Sequence, residues 1–238
     1  MTTKLAGVLG GTGPAATAYF LKRLVDFTDA ERDQDHVRAI VHNDTATPDR
    51  TDFILGKSDV SPLPYLVEDA RLLQRCGCDF LVMPCNTAHC LFAEVQAAVD
   101  IPLIHMIEET MAHCRARGFN RVGVLATEGT VATNMFGQAG RPHGVDVRYP
   151  GPEGQAEVDR IIYDAVKAGR PVAPEELGPL SALMMEEGCD ALILGCTELS
   201  AAFGENRRAS GVPVVDPLDV LVVRTIEAAG APVKPRVF

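Results

Sequence analysis

Two stretches of the chain are near copies of one another, and each ends its apolar run in a cysteine. Cys78-Asp79-Phe80-Leu81-Val82-Met83-Pro84-Cys85-Asn86-Thr87 returns 111 residues later as Cys189-Asp190-Ala191-Leu192-Ile193-Leu194-Gly195-Cys196-Thr197-Glu198. Each copy has the pattern of a short buried strand followed at once by Cys and small polar residues. In an α/β fold such a cysteine sits at the carboxyl end of its strand, where open sheets bind their ligands. The repeat extends further. Leu5-Ala6-Gly7-Val8-Leu9-Gly10 resembles Arg121-Val122-Gly123-Val124-Leu125-Ala126, and Ile101-Pro102-Leu103-Ile104 resembles Val212-Pro213-Val214-Val215. Three matched strands in one order imply two similar halves.

Between those strands the apolar period switches repeatedly to that of helices, the pattern of parallel sheets with helical crossovers. The spacing predicts strands near 4–9, 38–43, 79–84 and 102–105, then near 121–126, 145–149, 190–195 and 212–215. Pro14, Glu68 and Asn86 mark helix starts in the first half. Helices near 130–139, 154–168, 175–187 and 197–203 follow in the second, and one over 217–229 closes the chain. That last helix is expected to return to the first sheet. The domains are then 1–104 plus 216–238, and 105–215, with a ligand cleft between them.

A chain of 238 residues with 47% hydrophobic content can bury a full core. Net charge is −10 with acidic and basic residues interspersed, unlike the basic footprint of a nucleic-acid binder, so a small molecule is the expected partner. No apolar run approaches the roughly 18 residues of a membrane helix, and a strand predicted from residue 4 leaves no room for a signal peptide. The expectation is a soluble, cytoplasmic protein. Seven cysteines fall well below disulfide-scaffold density and read as reduced thiols. Cys76, Cys78, Cys90, Cys114 and Cys189 read as small buried hydrophobes.

Several constellations compete for the chemistry. Gly11, Gly13 and Ala16, in a turn between strand and helix, satisfy the spacing G-x-G-x-x-A of a dinucleotide site. Such a site also wants an acidic residue at the end of the next strand, roughly 20 residues on. Asp29, Glu31 and Asp33 at that distance fall in a polar loop and the strand ends later, at Asn43-Asp44, so the match is partial. A closed zinc site uses a C-x₂₋₄-C pair with a second ligand pair. Among Cys85, His89, Cys90, His113 and Cys114, Cys85 and His89 are i, i+4 at a strand-to-helix junction and Cys85 has no C-x₂-C partner. No metal is therefore expected, and His89 reads as a packing histidine.

Cys85 and Cys196 differ from the other cysteines by their equivalence. Each is expected at a helix N-terminus, where the dipole favours the thiolate and lowers its pKa below the roughly 8.5 of a free cysteine. A cysteine nucleophile needs a His partner and only one thiol. Two opposed thiols suit two-base proton transfer, one taking the α-hydrogen of an amino acid while the other returns a proton to the opposite face. Such a site also needs cations for the carboxylates and donors for the developing enediolate. Arg50, in the loop Thr47-Pro48-Asp49-Arg50-Thr51, and Lys167, before a helix-ending glycine, are candidates. Taken alone, each also reads as a solvated surface charge.

At this point the chain resembles the aspartate racemases of the cofactor-independent aspartate/glutamate racemase superfamily over nearly its whole length. The resemblance is carried by Gly10-Gly11-Thr12-Gly13-Pro14, Pro48-Asp49-Arg50-Thr51, Met83-Pro84-Cys85-Asn86-Thr87-Ala88-His89, Ala126-Thr127-Glu128-Gly129-Thr130, Lys167-Ala168-Gly169 and Gly195-Cys196-Thr197-Glu198. It implies two Rossmann-like domains related by a pseudo-twofold axis, an active site in the interdomain cleft, no cofactor such as pyridoxal phosphate, no metal, and a homodimer. It implies that Cys85 and Cys196 are the catalytic pair and that Arg50 and Lys167 recognise a side-chain carboxylate. Asn86, Thr87, Thr127, Thr130 and Thr197 match positions that line the pocket. Thr12 stands where the family turn often has Met, and Thr47 where an aliphatic residue is usual, changes that bear on substrate choice. The expected activity is interconversion of L- and D-aspartate. Glutamate or a broader range of amino acids, a non-catalytic small-molecule or nucleotide-binding module, and a cysteine-dependent isomerase or lyase are the alternatives, and retention of both thiols argues against a decarboxylase.

Overall fold

The computed structural model describes residues 3–204 and 211–235. Its strands are β1 (Leu5–Gly10), β2 (Arg38–Asn43), β3 (Phe80–Val82), β4 (Leu103–Ile104), β5 (Arg121–Leu125), β6 (Asp146–Arg148), β7 (Ala191–Leu194) and β8 (Val214–Val215). They form two four-stranded parallel sheets, ordered β2-β1-β3-β4 and β6-β5-β7-β8. The α-helices are α1 (Pro14–Phe27), α2 (Arg50–Ile54), α3 (Leu63–Arg75), α4 (Phe92–Ala97), α5 (Met106–Ala116), α6 (Glu128–Thr133), α7 (Met135–Gly140), α8 (Pro152–Asp159), α9 (Leu177–Glu186), α10 (Thr197–Phe203) and α11 (Pro217–Ala229). The fold is thus α/β with two similar halves. No helix among the described residues is long and apolar enough to cross a membrane.

The repeated sequence has a physical explanation at each step. α3 ends with Gly77 at φ 84° and α9 with Gly188 at φ 78°, left-handed positions that favour glycine. In both, the glycine N–H and the following cysteine N–H return to the last helical turn: Gly77 to Gln74, Cys78 to Leu73, Gly188 to Met185 and Cys189 to Met184. The next residue is aspartate, whose carboxylate accepts from the first N–H of the central strand. Asp79 Oδ2 takes Leu5 N at 2.6 Å, and Asp190 Oδ2 takes Arg121 N at 2.9 Å. Register then repeats, Leu81 opposite Leu103 as Leu192 is opposite Val214.

The halves exchange their last helices. α5 leaves the first sheet and lays Ile107, Met111 and Cys114 against Val122, Val124 and Ile193 of the second. α11 leaves the second sheet and lays Leu218, Leu221, Val222 and Ile226 against Ala6, Val8, Phe80 and Val82 of the first. The two helices meet at Arg224 and Glu109, 2.6 Å apart. Asp219 of α11 also grips Arg23 of α1 through paired bonds of 2.8 Å, a buried pair with the guanidinium 4.2 Å from the Phe27 ring. Removing one partner of such a pair costs about 3–5 kcal/mol.

Two of the helices expected in the second half differ. The one near 130–139 is broken between α6 and α7, because Asn134 adopts a left-handed φ of 48°. The one near 154–168 is α-helical only to Asp159 and continues as a π-helical turn over Arg160–Val166, where Lys167 N reaches back to Ile162 O. Cys76 is exposed at the end of α3 and Cys90 is half-buried, so neither is the core residue expected.

Candidate active site

The carboxyl ends of both sheets open onto one cleft, and loops from each half line a cavity of about 270 Å³. From the first half come Asp49, Arg50, Cys85, Asn86 and Thr87, and from the second Thr127, Lys167, Cys196, Thr197 and Glu198. Both cysteines therefore face the same space, nearly buried at 5% and 4% exposure. Of the residues singled out in the sequence, only Thr130 does not line it. Its hydroxyl lies behind, bonded to Thr87 at 3.0 Å and Thr127 at 3.2 Å, with Thr87 and Thr127 3.1 Å from one another. This hydroxyl triangle joins the halves, one corner from the first and two from the second.

The surroundings of the two thiols differ. Cys85 is followed by a 3₁₀ turn over Thr87–Leu91 rather than the α-helix expected. Its carbonyl oxygen accepts from His89 Nδ1 at 2.7 Å, while His89 Nε2 accepts from Met106 N at 3.1 Å. Both ring nitrogens are thus used structurally, and burial with the neighbouring His105 pushes the imidazole down to about 3, so His89 is neutral. Cys196 precedes α10, of only seven residues, and its Sγ donates to Glu198 Oε2 at 2.9 Å. Burial and then the Glu198 carboxylate push this thiol well above its ordinary value, with Lys167 opposing in part. The lowered pKa expected for Cys196 is therefore reversed: burial, and then the carboxylate two residues on, override a weak helix terminus.

The cations are also engaged. Arg50 sends Nη2 to Thr12 O at 2.5 Å and Nη1 to Pro48 O at 2.8 Å and Thr47 O at 3.2 Å, fastening the loops after β1 and β2. Its Nε is buried without a hydrogen-bond partner, as are both amide atoms of Asn86. Buried polar groups left unsatisfied are uncommon and point to a ligand that completes them. Lys167 Nζ lies 3.3 Å from Asp49 Oδ2 and 4.6 Å from the Tyr163 ring centroid. Burial would lower its pKa, but the Glu198 and Asp49 carboxylates outweigh this and hold it above its ordinary value.

Glu198, Asp49, Thr12 and Thr51 also line the cavity, and of these only Thr12 carried an expectation, as a departure that bears on substrate choice. Glu198 had a signal in the repeat. Aligned on the cysteines, it faces Thr87 of the first copy, so acidity enters one half-site only. The Gly-rich turn meets this carboxylate too, since a Cβ at Gly13 would lie 2.9 Å from Glu198 Oε1. A phosphate at that turn would therefore face an anion. Among the described residues no group of His, Cys, Asp or Glu has the arrangement of a metal site.

Residues 9–225 match the profile of the Asp/Glu/Hydantoin racemase family. The chain is 25% identical over 226 residues to the broad specificity amino-acid racemase RacX of Bacillus subtilis, covering 93% of this chain and 96% of that protein. It is 35% identical over 159 residues to a glutamate racemase of Pseudomonas paraeruginosa, 60% of this chain and 58% of that one. The aspartate racemase of Picrophilus torridus has a similar structure, with TM-score 0.84 and 30% identity over 97% of this chain and 96% of that one. With its duplicated α/β halves and the family profile spanning both, the chain belongs to the Asp/Glu/hydantoin racemase family.

Proposed function

We propose that the protein is a cofactor-independent racemase that interconverts L- and D-aspartate, with Cys85 and Cys196 as its two proton carriers. The observation that carries this reading is that both thiols line one cavity, at matching positions of the two halves. One cysteine as thiolate takes the α-proton, and the electron pair moves into the adjoining carboxylate. The opposite thiol gives its proton to the other face of the carbon, leaving the second sulfur as thiolate. The unpartnered amide of Asn86 and the Thr87, Thr127 and Thr197 hydroxyls are the donors suited to the developing enediolate. Arg50 Nε and Lys167 are the cations for the side-chain carboxylate.

In the resting state Cys196 is protonated, held so by burial and Glu198. Cys85 takes the proton of one enantiomer and Cys196 that of the other. Glu198 is placed to receive the Cys196 proton when the opposite form is required. The reading goes with a homodimer in the cytoplasm, where both sulfurs stay reduced.

Aspartate is favoured by the similarity to the Picrophilus torridus enzyme over 97% of this chain. A broader range of side chains is the second reading, favoured by an outer cavity of about 760 Å³ that adjoins the first and is lined in part by Pro14, Ala15 and Val166. The test is α-proton exchange in deuterated water across a panel of free amino acids with no cofactor added. Exchange and racemisation of aspartate are expected. Absence of both for every amino acid would remove the proposal, and exchange spread evenly over neutral side chains would favour the second reading.

A further inference from the structure

Asp49 divides its carboxylate between two tasks. Oδ1 accepts from Thr51 N at 2.8 Å and Asp52 N at 3.1 Å, capping α2, while Oδ2 reaches across the cleft to Lys167. Both residues line the inner cavity that holds the two thiols and also the outer cavity, so the pair stands at the neck between the two spaces. Asp49 and Lys167 come from opposite halves, and the ion pair joins them where the two cavities meet.

Of the two cations lining the inner cavity, Arg50 has Nη1 and Nη2 fixed on backbone carbonyls, whereas Lys167 Nζ is held by the Asp49 side chain. Asp49 therefore gives Lys167 the contact that an incoming side-chain carboxylate would give it. The cap survives the exchange, since it uses the other oxygen. Burial would raise the Asp49 pKa, but Lys167 and the cap N–H groups hold it below the usual carboxylate range, so the competitor is charged at neutral pH.

We infer that Asp49 is a specificity-determining residue, a built-in competitor for Lys167 that a substrate carrying a second carboxylate displaces and a neutral side chain does not. The inference deepens the dicarboxylate reading and rests on it. A side chain without charge leaves the neck tied, whereas a carboxylate takes the ammonium and frees Asp49 to remain as the cap alone.

The test is calorimetry with succinate, which has two carboxylates and no amine, against propionate, which has one. Asp49→Asn keeps an oxygen for the cap, and Asp49→Ser caps without reaching Lys167. Both variants are expected to bind succinate about two- to fivefold more tightly, the range of a partly exposed ion pair, with propionate unchanged. The gain is expected to vanish when Lys167→Met is added, which a merely structural effect of Asp49 would not do. In steady-state assays the KM for aspartate falls by a similar factor while kcat does not rise. Succinate affinity that stays the same or falls in both variants, or a gain that persists without Lys167, overturns the inference. The racemase reading is judged separately by α-proton exchange in the unaltered protein, so either can fail while the other stands.

Discussion

The two half-sites share a backbone and differ in their chemistry. Cys85 and Cys196 follow strands in matching register, after helices ended by equivalent glycines and strands clamped by equivalent aspartates. Beyond the sulfur the likeness stops. Cys85 is followed by an asparagine whose side-chain amide has no hydrogen-bond partner and a threonine tied into the hydroxyl triangle, while Cys196 is followed by a threonine and the carboxylate that accepts a hydrogen bond from its thiol. Duplication supplies two equivalent positions, and divergence of the two following residues makes them unequal. A reaction that must run both ways needs the first property, and a defined resting state needs the second.

The most severe way to break the comparison is to remove either sulfur's proton chemistry. Cys85→Ser and Cys196→Ser are each expected to lower racemisation about 10²- to 10⁴-fold, measured by circular dichroism on each enantiomer. Normal activity in both variants would end the two-thiol scheme. Asn86→Ala is expected to lower kcat about 10²-fold, within the range for lost donors to an oxyanion. Thermal stability should hold or rise, because the amide satisfies no group of the protein. A fall in stability with unchanged kcat would assign Asn86 to the scaffold.

Glu198→Gln sharpens the asymmetry. A loss of about 10²-fold is expected, at the lower end of the range of acid–base assistance, equal in kcat/KM for both directions because enantiomers have equal free energy. The α-deuterium isotope effect, in contrast, is expected to rise for one enantiomer only. The pH profile gives an independent readout. Glu198 raises the Cys196 pKa, and the resting thiol is lost as pH rises through that pKa. Removing the charge should therefore move the alkaline limb to lower pH. A symmetric isotope effect with an unmoved limb would mean that the half-sites are chemically alike.

The smallest effect is expected for Thr130→Val, which deletes one corner of the triangle and leaves Thr87 and Thr127 bonded to each other. It should cost about 1 kcal/mol, read as a lower melting temperature. A large loss of activity at normal stability would place Thr130 in the chemistry instead.

Much of this arrangement was legible in the chain because it is written locally. A helix ended by glycine, an Asp after Cys and a short buried run are neighbours in sequence, so the strands and both sulfurs could be found from one repeat. The breaks in helices were harder to read. Asn134 interrupts a stretch whose apolar pattern continues, and the π-helical turn over Arg160–Val166 keeps a helical composition while altering its hydrogen bonding. Partnerships across the cleft left least trace. Nothing near Arg50 says that its guanidinium will hold the carbonyl of Thr12, and nothing near Lys167 says that Asp49 will face it. These contacts depend on how the halves meet. The thiolate bias expected at Cys196 failed because the thiol is buried, and then because it faces the Glu198 carboxylate, seen in the sequence only as part of a motif.

The crossing of α5 and α11 has a consequence for any attempt to dissect the protein. Severed between Ile104 and His105, the amino-terminal piece would lack the cover for Ala6, Val8 and Phe80, and its counterpart would carry an orphaned greasy helix in α11. Neither fragment is a self-sufficient module. The two are expected to regain solubility only when co-expressed, each clasping the other by the arm it lent.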